Sequence, residues 1–168
     1  MESIVWYRIV GKHRTARDKV LKSNWGRFHD DPEIEPTCYV ADSLMTAWRE
    51  VTARFGEVPA DPKAFRAWRV TVSGANLADL TDSEEQSRHQ VTGAQLLADP
   101  PPPQCKGLAR KLRQQEPGYH GLVYQSVRTR PWGVCVALFL ERASDLITLE
   151  AVEDEEWRQF IASEGIGG

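Results

Sequence analysis

Short runs rich in apolar, β-branched and aromatic residues recur at positions 4–10, 37–41, 65–72, 77–80, 121–126, 133–140 and 146–151, and each predicts a β-strand. Between the second and third runs the period changes. Leu44, Ala47, Trp48, Val51 and Phe55 fall three or four residues apart, the spacing of one packed helical face. Asp42 or Ser43 offers an N-cap oxygen for this helix, and Gly56 ends it. Further helices are predicted over 104–116 and, as an acidic amphipathic tail, over 153–163, while 81–98 is polar and helical in places. Residues 11–25 are basic and polar and read as a short helix or a mobile arm. Loops are expected at 26–36 and 57–64, and the prolines at 100–103 read as a stiff surface connection. Strands outnumber helices without regular alternation or repeat, so the expected class is α+β in a single domain.

Composition narrows the function classes. The chain has 168 residues, 41% hydrophobic and 27% charged, enough for one domain with a core. A net charge of −3 without a basic block argues against tight nucleic-acid binding. Cys38, Cys105 and Cys135 are odd in number and far apart, and His13, His29, His89 and His120 share no ligand-like spacing. Neither a disulfide framework nor a metal site is expected, and Cys38 and Cys135 read as small hydrophobes within strands. No targeting leader or membrane-spanning run is read, so a cytoplasmic location is expected.

The candidate chemistry rests on a few polar side chains. Arg8 shares a strand face with Ile4, Trp6 and Val10, so its guanidinium must reach solvent, an ion pair or an anion. Arg27 sits in Trp25-Gly26-Arg27-Phe28, where glycine permits close backbone approach and arginine matches phosphate with paired hydrogen bonds. Glu50 lies on the flank of its helix, where it either points into a cleft or pairs with Arg54 on the surface. Tyr39 is core or a stacking platform, and Ser126 at a strand end is a turn residue or a site residue. No G-x-S-x-G elbow, G-x-G-x-x-G fingerprint or Walker glycine loop is present. His29 and His120 read as single loop histidines, and Trp132 and Trp157 as core aromatics or interface anchors.

Taken in order, these pieces resemble the RES domain, named for its arginine, glutamate and serine. Trp6-Tyr7-Arg8-Ile9 is similar to the family's opening strand, Gly26-Arg27-Phe28 to its Gly-Arg-Trp, and Cys38-Tyr39-Val40-Ala41 to its Tyr-hydrophobic-Ala strand. Thr46-Ala47-Trp48-Arg49-Glu50 resembles the helix with the glutamate, and Asp79-Leu80-Thr81-Asp82 a common turn. The segment from Gly121 to Arg128 resembles the strand with the serine, and residues 133–139 the closing strand. Phe28-His29 replaces the family's Trp-Asn, and Gln125 stands where proline is usual. The matches span about residues 4–142, leaving the proline run and the acidic tail outside the pattern.

The resemblance implies a split β core related to ADP-ribosyltransferase toxins, with NAD in the cleft as substrate and no further cofactor. It implies Glu50, Arg27 and Ser126 as catalytic residues, and Arg8, Arg27, Tyr39 and Ser126 as NAD contacts. Cleavage of the nicotinamide–ribose bond by water or phosphate is the implied activity, restrained by an antitoxin or immunity protein. Two alternatives stand beside it. One is transfer of ADP-ribose to a protein; the other is an inert domain whose proline run and acidic tail are interaction surfaces.

Overall fold

A computed structural model describes residues 2–53, 60–115, 118–129 and 133–166. In chain order its elements are β1 (Ser3–Gly11), α1 (Arg17–Leu21), β2 (Thr37–Ala41), α2 (Leu44–Thr52), β3 (Phe65–Ser73) and β4 (Leu77–Asp79). They continue with α3 (Ser83–Arg88), α4 (Gly93–Leu97), α5 (Pro103–Gln114), β5 (Gly121–Gln125), β6 (Val134–Phe139), α6 (Leu140–Ala143), β7 (Ile147–Ala151) and α7 (Asp154–Ser163). The strands form one mixed sheet ordered β4-β5-β6-β2-β1-β3-β7, parallel only at β4/β5. The fold is α+β, as expected.

The sheet has a seam. β1 pairs with β3 along its whole length, from Ser3 opposite Ser73 to Gly11 opposite Phe65. Toward β2 it makes a single pair, Tyr7 opposite Ala41, and the two strands then part. The halves β7-β3-β1 and β2-β6-β5-β4 therefore meet at one point, which is the split core that the resemblance implies.

Side-chain alternation explains how both faces are covered. Along β6, Cys135, Ala137 and Phe139 enter one apolar cluster while Val136 and Leu138 enter the other. A strand buried on both sides reads as an unbroken apolar run, as this one does. The larger cluster lies under α2, α4, α5 and α7, with Trp48, Leu96, Leu108 and Leu112 buried and Trp157 and Phe160 packed against them. Leu21 of α1 and Ala143 of α6 help cover the opposite face.

Several elements differ instructively from the sequence reading. The basic arm is anchored by α1, whose Val20 and Leu21 are buried. The last proline of the run, Pro103, opens α5, where its missing N–H costs nothing. Helix α2 begins after Ser43, whose hydroxyl accepts from Thr46 N at 3.1 Å, and its last helical residue is Thr52. The expected Phe55, Gly56, Arg54 and Trp132 lie outside the described residues. The acidic tail is not a free surface, because Trp157 meets Trp48 with ring centroids 5.9 Å apart and stacks on Phe160. Trp48 also meets Phe65 edge-on at 5.6 Å, so one side chain joins α2, β3 and α7. Trp48→Ala is expected to destabilise the domain by about 3–5 kcal/mol, read as a shift in the urea unfolding midpoint with the slope unchanged.

Candidate functional site

A cavity of about 480 Å³ opens where β1 and β2 part, and both strands contribute to its wall. Arg8, Arg27, Tyr39 and Glu50 all line it, so the structure brings together four of the five residues singled out in the sequence.

Glu50 is half-buried on α2, just beside the apolar stripe that packs the helix onto the sheet. Its Oε1 accepts a hydrogen bond of 2.5 Å from Ser126 Oγ. The direction of this bond follows from valence. Ser126 Oγ already accepts from the backbone N–H groups of Arg128 and Thr129, each at 3.1 Å, so its one proton goes to Glu50. The Cys135 thiol also points at Oε1, at 3.9 Å. Burial, reinforced by the charge of Glu50, pushes the Cys135 thiol well above its ordinary value, and burial does the same to Tyr124. Both groups stay neutral beside the carboxylate. Oε2 makes no hydrogen bond among the described residues.

Ser126 itself is fully buried and does not line the cavity. The expected direct contact between Ser126 and a substrate is therefore not what the structure places there. The hydroxyl sits behind Glu50 because strand β5 ends with its last side chains packed inward, and the following turn closes on the serine oxygen.

Arg8 is 7% exposed and meets no carboxylate among the described residues. Its Nε donates to Val20 O at 2.6 Å and its Nη1 to Tyr39 O at 2.9 Å. Burial lowers its pKa from the ordinary arginine value, and the neighbouring charge of Arg14 acts in the same direction. Arg27 donates from Nη1 to Ala98 O at 2.7 Å, which leaves Nε and Nη2 without hydrogen bonds among the described residues. Arg14 lines the cavity too and is likewise not ion-paired among those residues. Arg128 also lines the cavity and pairs with Asp99 at 2.7 Å. Beside the Asp99–Arg128 pair, the cavity thus holds a fixed carboxylate and the guanidiniums of Arg8, Arg14 and Arg27, which meet no counter-ion among the described residues.

Tyr39 positions the arginine loop. Its hydroxyl accepts from Phe28 N at 2.9 Å and bonds His29 Nδ1 at 2.8 Å. A Cβ at position 26 would lie 2.3 Å from the Tyr39 ring, so only glycine allows the loop to pass there. Phe28 is wholly buried, edge-on to Tyr124 with centroids 4.8 Å apart. His29 is buried on Tyr39 and is not a free loop histidine. His120 lies away from the cavity and accepts from Asn76 N at 2.8 Å. Arg14, Arg128, Asp99 and Trp25 were not read from the sequence as site residues. Arg14 is one of five basic residues in its segment, and nothing local distinguishes it from the others.

The RES domain family model matches residues 5–160. This chain belongs to the RES-domain family. The match extends the RES pattern past the 4–142 span of the motifs and takes in the proline run and most of α7. Among solved structures, the M. tuberculosis MbcT–MbcA toxin–antitoxin complex contains a chain of similar fold, with a TM-score of 0.69 and 18% identity. The likeness covers 96% of this RES domain and 90% of that chain. No curated protein matches the sequence. Among the described residues no helix is long and apolar enough to cross a membrane.

His29 gives a pH prediction. Burial pushes its pKa below the ordinary histidine value of 6.5. As pH falls through 6.5 the unfolded chain takes up a proton that the folded imidazole resists, so stability falls with it. His29→Asn is expected to flatten this part of the profile, measured as urea midpoints near pH 7.5 and pH 5.5. Equal losses in variant and wild type would remove His29 from the account.

Proposed function

We propose that this RES domain binds NAD in the cavity between β1 and β2 and breaks the bond between nicotinamide and ribose, acting as a toxin in the bacterial cytosol. The observation that carries the reading is Glu50, held as a hydrogen-bond acceptor in a cavity also lined by Arg8, Arg14 and Arg27, none of them ion-paired among the described residues.

The chemistry follows from charge. NAD brings a pyrophosphate dianion, which suits guanidiniums that meet no counter-ion among the described residues, and Arg8 and Arg27 are the proposed clamps. A volume near 480 Å³ lies within the usual range of small-molecule sites. When the glycosidic bond breaks, its electron pair leaves with nicotinamide and positive charge develops on the ribose, as in glycoside hydrolysis. Glu50 faces that charge with Oε2 available for ribose hydroxyls, so its attraction grows toward the transition state. Ser126 acts through Glu50 as a positioning residue, and Tyr39 holds the loop that aims Arg27. Water or phosphate then attacks the anomeric carbon, and NAD is the substrate with no other cofactor required.

The RES family and the similarity to a chain of the MbcT–MbcA complex support a toxin restrained by an antitoxin or immunity protein. The inert-domain alternative, motivated by Phe28-His29 and Gln125, is the less favoured reading because its proposed interaction surfaces are engaged within the fold. Phe28 and His29 are packed core residues, Pro101 lines the cavity, and the tail helix packs on Trp48.

The test is the fate of NAD incubated with purified protein, with and without phosphate, followed by chromatography. Nicotinamide is expected to appear, and phosphate dependence would identify the acceptor. Glu50→Gln is expected to lower kcat by about 100-fold or more with little change in melting temperature. Ser126→Ala is expected to lower kcat about tenfold through a less fixed carboxylate. Intact NAD in the presence of folded protein, with labelled ADP-ribose appearing on a lysate protein, would instead establish protein-directed transfer.

A further inference from the structure

We infer that Arg14 and Ser23 join Arg8 in a subsite of the cavity that holds a phosphate group. The inference deepens the reading of the cavity as an NAD site and rests on it for the source of the phosphate. All three residues line the cavity. Ser23 is 2% exposed, and its hydroxyl has no hydrogen-bond partner among the described residues. A buried hydroxyl is normally hydrogen-bonded, so an acceptor entering the cavity would complete it.

The path of the chain brings these groups together. β1 ends at Gly11, whose carbonyl accepts from Arg14 N at 3.0 Å, so a turn follows the strand directly. Val20 and Leu21 then anchor α1 in the core, and Val20 O accepts from Arg8 Nε at 2.6 Å. Ser23 N donates to Thr37 O at 2.9 Å, which fixes the backbone beyond α1 against β2. Arg8 commits Nε and Nη1 to main-chain carbonyls, while its Nη2 makes no hydrogen bond among the described residues. The half-buried side chain of Arg14 makes none among them either. After burial itself, the charge of Arg14 is what disfavours the charged form of Arg8, so the two cations act on each other. A phosphate group suits this set, because its oxygens accept from both guanidiniums and the hydroxyl while its negative charge relieves the repulsion. A carboxylate brings one charge and two oxygens, fewer than the donors present. The phosphate is either one of the two in the dinucleotide or the free phosphate that attacks the anomeric carbon.

The test titrates ADP-ribose and inorganic phosphate separately into wild type, Arg14→Gln and Ser23→Ala by calorimetry, beside an assay of nicotinamide release from NAD. ADP-ribose carries the pyrophosphate and has no nicotinamide bond left to cleave. Arg14→Gln is expected to weaken binding about tenfold, which corresponds to about 1.4 kcal/mol, and Ser23→Ala is expected to weaken it in the same direction. Arg14→Lys is expected to recover part of the loss, because it keeps the charge without the planar fork. Unliganded Arg14→Gln is expected to melt no lower than wild type, since it removes a like charge near Arg8. Weaker binding of ADP-ribose supports the subsite and assigns it to the dinucleotide. Weaker binding of phosphate with ADP-ribose affinity unchanged supports it and assigns it to the free acceptor. A variant that binds both probes as tightly as wild type overturns the inference, even where NAD is consumed. Failure of wild type to bind either probe overturns it as well. If wild type releases no nicotinamide, the proposed reaction falls, and phosphate binding that depends on Arg14 and Ser23 still supports the subsite.

Discussion

The buried guanidinium of Arg8 is the constraint around which the two halves of the sheet are arranged. β1 and β2 separate after one residue pair, and separated strands leave main-chain carbonyls without ladder partners. Arg8 reaches across that seam to Tyr39 O on β2 and to Val20 O on α1, so one side chain ties three elements together. Charge-assisted bonds to two carbonyls offset part of the cost of burying the cation but do not neutralise it. The seam therefore stays open enough to form a cavity and keeps a net positive charge in its wall.

The remaining site residues depend on second partners in the same way. Glu50 is fixed because Ser126 has its lone pairs filled by two backbone N–H groups and must spend its proton on the carboxylate. Arg27 is aimed because Tyr39 holds the backbone on either side of it, through Gly26 and Phe28. The Ala98 carbonyl and the Asp99–Arg128 pair bring the proline-rich segment over the cavity, which makes that segment part of the site's wall. In the proposed reaction the groups that touch substrate are few, and their positions are set by neighbours that do not touch it.

Much of this was legible along the chain. The seven strands lie close to their apolar runs, since a strand's signal is local and the buried β6 shows it as a continuous apolar stretch. Helix α2 followed from its three- and four-residue spacing, whereas spacing left Glu50 open between cleft and surface pair, and the family resemblance favoured the cleft. Arg8 was identified as an arginine that needed a partner, although two main-chain carbonyls were not foreseeable as that partner. Ser126 was legible as part of a motif, yet its direction was not. Whether a strand-end hydroxyl faces a ligand or the back of a carboxylate depends on a turn some eighty residues away in sequence from α2.

The sequence by itself determined where the strands and the main helices lie, which residues are candidates for the chemistry, and that the chain resembles the RES family. Periodicity, side-chain type and motif order are properties of short stretches, and they survive without knowledge of the fold. Only the tertiary structure decided that β1 and β2 part, that Arg14 and Trp25 come to the cavity, and that Ser126 stands behind Glu50. Those facts depend on which distant carbonyls, N–H groups and rings meet once the sheet closes, and no local pattern encodes such meetings.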